Sequence, residues 1–470
     1  MIVAGEQSRR ALRDAGDRPL LLSATGGPGD RSATELLERV AGVARALSRR
    51  DATRQRIGLW LENSAAAVEA HLAVEWVGGA RVPVDPAAPA AEAAAVFEAA
   101  GVHLVVTDGV HAGPIDALVH DDEAPLAAAE PDAATAVEPV TVESTATHLL
   151  YPRMAAGGQM LAVPVSYANW QAQMELNLRL HRDGWYGPAL AEDDVAVTAQ
   201  QLLHGTGLVT TFPFLLAGLP QVVLPRFDAG GFIEATLRHR ATSTFFVPGM
   251  VSRVADALPA GTRLSLRRVL YGGAPFPVDD LRAAVARLGP VLVQLYGRFE
   301  GGWPLTVLGP EDHARIAAGD DELAASCGRA VPGVELELRD VGAPPAGELR
   351  VRGPTVVAEY ADPDGWCALG DLMQVDAHGH FFHRGRLDGM INTGSYHVYP
   401  AEVEAALAEL PGVTAALVRG EADPVWGQAV TAYVTAEPQV DPDELRRGLR
   451  RRLAPYKVPK RIAVVDRLPS

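Results

Sequence analysis

Three short stretches in the second half of the sequence carry residue types that suit a ligand with phosphates and hydroxyl groups. Residues 272–275 read Gly-Gly-Ala-Pro after a buried strand, and glycines there let the backbone lie flat against a ligand. Tyr296-Gly297-Arg298-Phe299-Glu300 follows the next strand and ends in a carboxylate, which suits a hard cation that bridges phosphates. Gly370-Asp371-Leu372 presents an acceptor-only carboxylate, which suits a vicinal diol. Taken alone, each stretch is equally explained by an ordinary turn.

A fourth stretch, residues 384–404, is polar and rich in glycine in its first half, which leaves no room for a long regular element. It contains Arg386, Asp388 and Gly394. Pro400 then stands where a helix could begin, and acidic residues follow it near the positive end of that helix. By composition alone, this is a charged loop that leads into a surface helix.

In their order along the chain, these stretches resemble the motifs of the adenylate-forming superfamily, which includes acyl-CoA synthetases, peptide-synthetase adenylation domains and luciferases. The resemblance implies that Tyr296 stacks on adenine and that Glu300 is a Mg²⁺ ligand. It implies that Asp371 accepts hydrogen bonds from both ribose hydroxyls and that Arg386 binds the ribose. It also implies that Asp388 is the pivot of a C-terminal domain and a catalytic residue in that sense.

The same resemblance adds glycines and a histidine to the site. It implies that the turn at Gly272, Gly273 and Ala274 lines the adenine and acyl pockets. Gly297 and Gly394 fall within the matched motifs and are predicted to contact the nucleotide-type ligand. His204 occupies the position at which a histidine or aromatic side chain closes the acyl pocket, although a lone histidine near a turn is more often structural.

The sequence departs from the family at the groups that handle the triphosphate. The family has a phosphate loop rich in Ser, Thr and Gly that ends in Pro-Lys-Gly, whereas residues 152–160 read Pro-Arg-Met-Ala-Ala-Gly-Gly-Gln-Met. Met160 replaces the lysine, and Phe299 replaces a threonine that contacts phosphate. The catalytic lysine that the family places a few residues beyond the position of Ser470 is not in this sequence. We therefore expect ATP-dependent adenylation to be impaired.

The elements that position these residues alternate between strands and helices. Residues 31–48 have the apolar spacing of an amphipathic helix, and short buried strands are predicted at residues 57–61, 103–107, 195–198 and 243–247. Such alternation predicts an α/β fold of parallel sheets covered by helices. With the resemblance, we expect a large N-terminal domain at residues 1–385 that includes a β-rich subdomain. A small, mobile α/β domain is then expected at residues 386–470, with its hinge near Asp388.

Composition excludes several classes of protein. The 470 residues carry a net charge of −16, which disfavours binding to nucleic acid or anionic membranes. Cys327 and Cys367 are the only cysteines and lack metal-ligand spacing. No apolar run is long enough to span a bilayer, and the N-terminus lacks the apolar core of a signal peptide. We therefore expect a cytoplasmic location.

Three functions remain open from the sequence. The first is an acyl-CoA-synthetase-like ligase with slow or altered adenylation, and the second is an ATP-independent acyltransferase that acts on a pre-activated thioester. The third is a non-catalytic binding or scaffold subunit. The expected ligands are AMP or an acyl-adenylate, CoA or phosphopantetheine, and Mg²⁺ at Glu300. The expected partners are a small carboxylic acid or acyl thioester and an acyl carrier protein, whose phosphopantetheine thiol would take the acyl group.

Overall fold

The structure, a computed structural model, describes residues 1–25, 29–109, 116–120, 138–154, 160–343, 345–387, 389–394, 396–436, 440–465 and 467–469. The strands are β1 Ile2–Val3, β2 Pro19–Leu22, β3 Arg31–Ser32, β4 Arg56–Trp60, β5 Ala80–Pro83, β6 Leu104–Thr107, β7 Asp116–Val119, β8 Thr141–Val142, β9 Thr147–Met154, β10 Met160–Ser166, β11 Ala196–Thr198, β12 Gln221–Val223, β13 Ser243–Phe246, β14 Arg268–Gly272, β15 Leu292–Arg298, β16 Gly302–Leu308, β17 Ser326–Ala330, β18 Glu335–Ala343, β19 Ala346–Arg352, β20 Cys367–Val375, β21 His380–Arg386, β22 Ile391–Thr393, β23 Tyr396–Val398, β24 Val413–Asp423, β25 Gly427–Ala436 and β26 Arg461–Val464.

The helices are α1 Glu6–Ala15, α2 Ala33–Arg49, α3 Ala65–Trp76, α4 Ala90–Ala99, α5 Tyr167–Arg182, α6 Gly205–Leu216, α7 Ala229–His239, α8 Pro248–Ala257, α9 Val278–Leu288, α10 Pro310–Ala317, α11 Asp321–Ala324, α12 Pro400–Ala408 and α13 Pro442–Arg450, with a 3₁₀ turn at Ala358–Tyr360. Helix α2 confirms the amphipathic helix predicted over residues 31–48, and Ser32 begins it with a capping box to Glu35. Among the described residues, no helix has both the length and the apolar character that crossing a bilayer requires.

Two sheets form the bulk of the described chain. One has six strands in the order β10-β9-β5-β4-β6-β7. The other has thirteen strands, and its neighbours β2, β12, β11, β13, β14 and β15 run parallel. From β15 onward its pairs are antiparallel, through β16, β17, β21, β20, β19 and β18. Helices cover the parallel part because βαβ crossovers place them on the faces of the sheet. The predicted α/β class with a β-rich part is thus confirmed.

The last 80 residues form a five-stranded sheet of their own, made of β22 to β26. Helices α12 and α13 pack on it through a separate hydrophobic cluster that includes Val398, Leu407, Val430 and Leu449. A separate core is what an independently packed unit requires. The domain boundary at residues 385/386 and the mobility of the second domain remain predictions.

Two strands extend into stretches that the sequence analysis placed in a loop or after a strand, at residues 152–160 and 296–300. Strand β9 continues to Met154, because β10 pairs with it in an antiparallel ladder that includes Val163 opposite Tyr151. Strand β15 continues to Arg298, because Tyr296 pairs with Thr306 of β16. Ladder hydrogen bonds from a partner strand, which are not visible in a local pattern, carry both strands past their expected ends.

Buried histidines make the fold sensitive to acid. Burial lowers the pKa of His148, His204 and His313 each to about 4. An unfolded histidine titrates near ~6.5, so the unfolded state binds more protons between these values and stability falls as the pH drops from ~6.5 towards 4. We expect the free energy of unfolding to decrease by at least ~2 kcal/mol between pH 7 and pH 5.

Urea unfolding at the two pH values measures this decrease. His313→Gln should reduce the pH dependence because His313 is buried between Tyr271 and the carbonyl of Gly309. The matched variant His378→Gln, at an exposed position, should leave it unchanged. Equal unfolding free energies at pH 7 and pH 5 in the parent protein would contradict the prediction.

Candidate functional site

The hairpin of β20 and β21 brings two predicted site residues side by side. Asp371 pairs with Arg386 in the ladder, and the guanidinium Nη1 of Arg386 donates to Oδ1 of Asp371 at 2.5 Å. Tyr296 reaches the same carboxylate from β15, and its hydroxyl donates to Oδ2 at 2.7 Å. The structure therefore joins Tyr296, Asp371 and Arg386 in one cluster, although 75 residues separate the tyrosine from the aspartate.

A histidine and a second arginine complete the surroundings of Asp371. Nε2 of His383 lies 3.2 Å from Oδ1 of Asp371, and Nε of Arg298 lies 4.0 Å from Oδ2. Arg298 also faces Glu300, with Nη2 at 3.5 Å from Oε1. The side chain of Arg298 is only 6% exposed. Its charge lies between the two buried carboxylates of Glu300 and Asp371. We name these side chains the carboxylate–arginine cluster; its members are Tyr296, Arg298, Glu300, Asp371, His383 and Arg386.

The charges of this cluster fix its protonation. Burial alone would raise the pKa of Asp371, but the hydrogen bond from His383 and the charges of Arg298 and Arg386 hold that pKa well below its usual range. Burial, together with the neighbouring Asp371 carboxylate, holds the pKa of Tyr296 well above its usual range. At neutral pH, Asp371 is therefore an anion and Tyr296 is a neutral hydrogen-bond donor.

The predicted glycine turn follows β14. A Cβ atom on Gly272 would lie 2.2 Å from the carbonyl oxygen of Leu295, so only glycine fits there. Gly273 has a φ of +85°, which is also a glycine conformation. The side-chain amide of Asn392, on β22, donates to the carbonyl of Gly273, and Gly427 approaches Ala274. The turn thus forms one contact between the parallel sheet and the five-stranded sheet.

A cavity of about 150 Å³, which we name the junction cavity, lies between the five-stranded unit and the rest of the protein. His204 and Glu300, both predicted site residues, line it from one side. Tyr396 and Tyr456 line it from the other, with their rings stacked at a centroid distance of 4.3 Å. The ring of His204 meets Tyr396 edge-on at 4.8 Å. Burial lowers the pKa of His204 to about 4, so this imidazole is neutral at pH 7.

Lys457 closes the junction cavity with a buried ion-pair triad. Its ammonium lies 2.6 Å from Oε1 of Glu92 on α4 and 2.8 Å from Oε1 of Glu402 on α12. Burial would lower the pKa of Lys457, but Tyr456 and the two carboxylates raise it above its usual value. Lys457 is therefore charged at neutral pH and connects α12 of the five-stranded unit to α4.

A second cavity of about 100 Å³ is walled by Trp170 and Trp303, and we name it the tryptophan cavity. Tyr151, Thr206 and Phe299 line both cavities. The rings of Tyr151 and Phe299 stack at 4.0 Å and separate the two spaces. A Cβ atom on Gly205 would lie 2.6 Å from the Phe299 ring, so a glycine there makes room for the phenylalanine.

The remaining predicted residues lie apart or outside the described residues. Gly297 lies against Trp303, because its Cβ atom would come 2.3 Å from Cδ1 of that ring. Gly394 has a φ of +59° and packs on Trp426 rather than in the carboxylate–arginine cluster. Asp388 and residues 155–159 of the predicted phosphate loop lie outside the described residues.

The Mg²⁺-ligand role that the resemblance implies for Glu300 stays a prediction. Mg²⁺ in proteins is held by one or two carboxylates together with substrate phosphates and water. Glu300 has the cation Arg298 at 3.5 Å, and no three His, Cys, Asp or Glu residues group as metal ligands in the described part of the chain. Arg298 thus places a positive charge beside the carboxylate of Glu300.

Sequence reasoning missed Arg298, His383, Tyr151 and Lys457 as parts of the site. The scarcity of lysine was a usable signal for Lys457, because the sequence has 40 arginines and only two lysines. Arg298 stood inside a matched motif at a position where the family has no fixed residue. His383 and Tyr151 carried no signal, since neither belongs to a motif.

Comparison with known families gives matches over most of the chain. The family described as AMP-binding enzyme matches residues 8–156 and 158–361, and the family described as AMP-binding enzyme C-terminal domain matches residues 402–470.

Curated relatives and solved structures agree with these matches. A feruloyl-CoA synthase from an Amycolatopsis species is 38% identical over 303 residues, which is 60% of this chain and 60% of that protein. A 2-succinylbenzoate–CoA ligase from Geobacillus kaustophilus is 32% identical over 78% of this chain and 75% of its own length. The Bacillus subtilis o-succinylbenzoate CoA synthetase, solved as a double mutant with its product analogue OSB-NCoA, superposes with a TM-score of 0.85. It is 25% identical, over 98% of this chain and 95% of that one.

The match to feruloyl-CoA synthase spans only 60% of that protein's length, so the substrate and activity of that protein are not assigned to this chain. The family matches, in contrast, cover far more than half of the present chain. They confirm the resemblance to adenylate-forming enzymes that the motifs indicated. The chain belongs to the AMP-binding enzyme family.

Proposed function

We propose that this protein binds an acyl group together with an adenylate- or CoA-type ligand, and that its ATP-dependent adenylation is weak or absent. The carboxylate–arginine cluster supports the first part, because Tyr296, Asp371 and Arg386 converge on one buried point. A carboxylate held ionised by arginines is suited to accept hydrogen bonds from a ribose diol. Family membership supports the same ligand class.

The observation that carries the second part is the stack of Phe299 on Tyr151. The resemblance places a phosphate-binding hydroxyl at position 299, whereas the phenylalanine ring faces Tyr151 at 4.0 Å and at an angle of 30°. Two stacked rings offer a triphosphate apolar surface and no hydrogen-bond donor at position 299. Desolvating phosphate charges without such donors or cations is costly.

The two lysines of the chain do not supply the positive charge that the phosphates require. Lys457 is held by Glu92 and Glu402, and Lys460 lies over the ring of Trp426 at 4.8 Å. These are the two lysines of the sequence. In this proposal, Arg298 lies beside Glu300 and balances part of its negative charge.

The arrangement of the cavities favours a second candidate, acyl transfer from a pre-activated thioester without ATP. The tryptophan cavity could hold the acyl group and the junction cavity the acceptor, since Tyr151, Thr206 and Phe299 border both. In such a transfer the acyl carbon–sulfur bond breaks and the acyl carbon bonds to the acceptor heteroatom. The proton of the acceptor passes to the departing thiolate. The non-catalytic binding subunit remains the third candidate.

Pyrophosphate exchange tests the proposal on the full chain with ATP, Mg²⁺ and a panel of carboxylic acids. We expect exchange no higher than the background without protein. Met160→Lys alone should not restore it, because the hydroxyl-bearing residues of the family's phosphate loop and the threonine at position 299 are also missing. A related CoA ligase assayed in parallel is the positive control.

Robust exchange by the parent protein with any simple acid would overturn the proposal and leave the ordinary ligase function. If exchange is absent, incubation with acyl thioesters separates the two remaining candidates. Turnover would favour the acyltransferase, and ligand binding without turnover would favour a binding subunit.

A further inference from the structure

The walls of the tryptophan cavity are aromatic and rigid. Trp170 is 4% exposed and is held from behind by the stacked ring of His148 at 4.9 Å. Trp303 packs edge-on against Phe245 at 5.1 Å, and its backbone N–H donates to Oε1 of Gln173 at 2.9 Å. Rigid walls bind a matching ligand without the cost of ordering them.

Several polar side chains on these walls already have partners. The side-chain amide of Asn169 donates to the carbonyls of Pro354 and Val356 at 3.0 and 2.8 Å. The hydroxyl of Thr355 donates to the carbonyl of Gly301 at 2.9 Å. The Nε of Arg298 is buried and has no hydrogen-bond partner in the part of the chain that the structure describes, and the charge of this side chain faces two carboxylates. Among the described residues that line the cavity, Arg298 is the only charged one.

The size of the cavity limits what it can hold. Its volume is about 100 Å³, whereas an apolar cavity of ~150 Å³ in another protein accommodates one benzene ring. By this comparison, one six-membered ring is the most that it holds, and a second ring has no space unless the stack of Phe299 on Tyr151 opens.

We propose that the tryptophan cavity binds a single-ring aromatic acyl group, with the acyl oxygen accepting a hydrogen bond from Arg298. This rests on the proposed function, in which the protein binds an acyl group, and it specifies the substrate class. The rings of Trp170, Trp303 and Phe299 surround the ligand ring, and each well-placed aromatic pair can add up to about tenfold in affinity beyond apolar contact. Arg298 aligns the acyl carbon towards the junction cavity.

Calorimetric titration of the full chain with four probes tests the class. Benzoate is the expected ligand, and cyclohexanecarboxylate has the same number of heavy atoms and the same charge but no aromatic ring. We expect benzoate to bind at least ~5-fold more tightly than cyclohexanecarboxylate. Benzyl alcohol, which lacks the carboxylate, should bind at least ~10-fold more weakly than benzoate. We expect no detectable binding of 2-naphthoate.

Variants locate the binding. Trp303→Leu should weaken benzoate at least ~5-fold. Phe299→Ala, or Phe299→Leu if the first variant fails to fold, should bring binding of 2-naphthoate into the measurable range. The matched control is Phe227→Leu. The Phe227 ring does not line the cavity and packs on Phe246 at a centroid distance of 5.6 Å, so this variant should leave all four affinities unchanged. Near-ultraviolet circular dichroism checks that each variant is folded.

Equal affinities for benzoate and cyclohexanecarboxylate would overturn the aromatic class. A folded Trp303→Leu variant with parental affinity would overturn the location, and benzyl alcohol binding as tightly as benzoate would overturn the role of Arg298. AMP is titrated in parallel. If AMP binds and no acid does, this inference fails while the adenylate-binding part of the proposed function stands. If benzoate binds and AMP does not, this inference stands and the adenylate-binding part of the proposed function fails.

Discussion

Asp371→Ala is expected to weaken AMP binding at least ~10-fold and to lower the free energy of unfolding by about 3–5 kcal/mol. Asp371 is 2% exposed and is the shared partner of Arg386, His383 and the hydroxyl of Tyr296. Without this carboxylate, the buried guanidinium of Arg386 loses the anion that it bonds at 2.5 Å. Removing one partner of a buried ion pair destabilises a protein by far more than the intact pair stabilises it, because the remaining charge stays buried without its counter-charge.

Urea unfolding and calorimetric titration with AMP measure the two effects. Asp364→Ala, which removes an exposed carboxylate, is the matched control and should change neither quantity beyond about 0.5 kcal/mol. If the alanine variant does not fold, Asp371→Asn keeps the shape of the side chain and serves for the AMP titration. An Asp371 variant that binds AMP as the parent does would remove Asp371 from the predicted nucleotide site.

Lys457→Met is expected to destabilise the protein by about 3–5 kcal/mol at pH 7. The ammonium group holds Glu92 and Glu402, whose side chains are 11% and 9% exposed, and methionine fills the space without the charge. The two carboxylates would then repel each other across the contact between α4 and α12. They bind protons more readily when unpaired, so the destabilisation should shrink as the pH falls towards 5.

Lys460→Met is a close control, because the chain has only these two lysines and Lys460 is exposed over the ring of Trp426. It should cost no more than about 1 kcal/mol. The double variant Lys457→Met with Glu92→Gln should recover part of the lost stability, since it removes one of the repelling charges. Equal losses for the two lysine variants would show that the triad contributes nothing specific.

The sequence by itself determined the fold class and most of the elements. Ser32 capping α2, the strand at residues 243–246 and the hairpin between β20 and β21 are local features, set by capping, alternation and turn residues within a few positions. Asp371 and Arg386 were named by the family resemblance, and the hairpin places them side by side. Local physical chemistry therefore predicted the scaffold, and the resemblance supplied the candidate site residues.

Only the tertiary structure decided which groups share a site. Lys457 and Glu92 are 365 positions apart, and no local pattern pairs them. Arg298 entered the carboxylate–arginine cluster because β15 continues beside β16 and carries its side chain towards β20 and β21. The stack of Phe299 on Tyr151 joins the two main sheets and needs a glycine at position 205 to fit. These contacts depend on how sheets pack against each other, and packing is a property of the folded surface rather than of any segment.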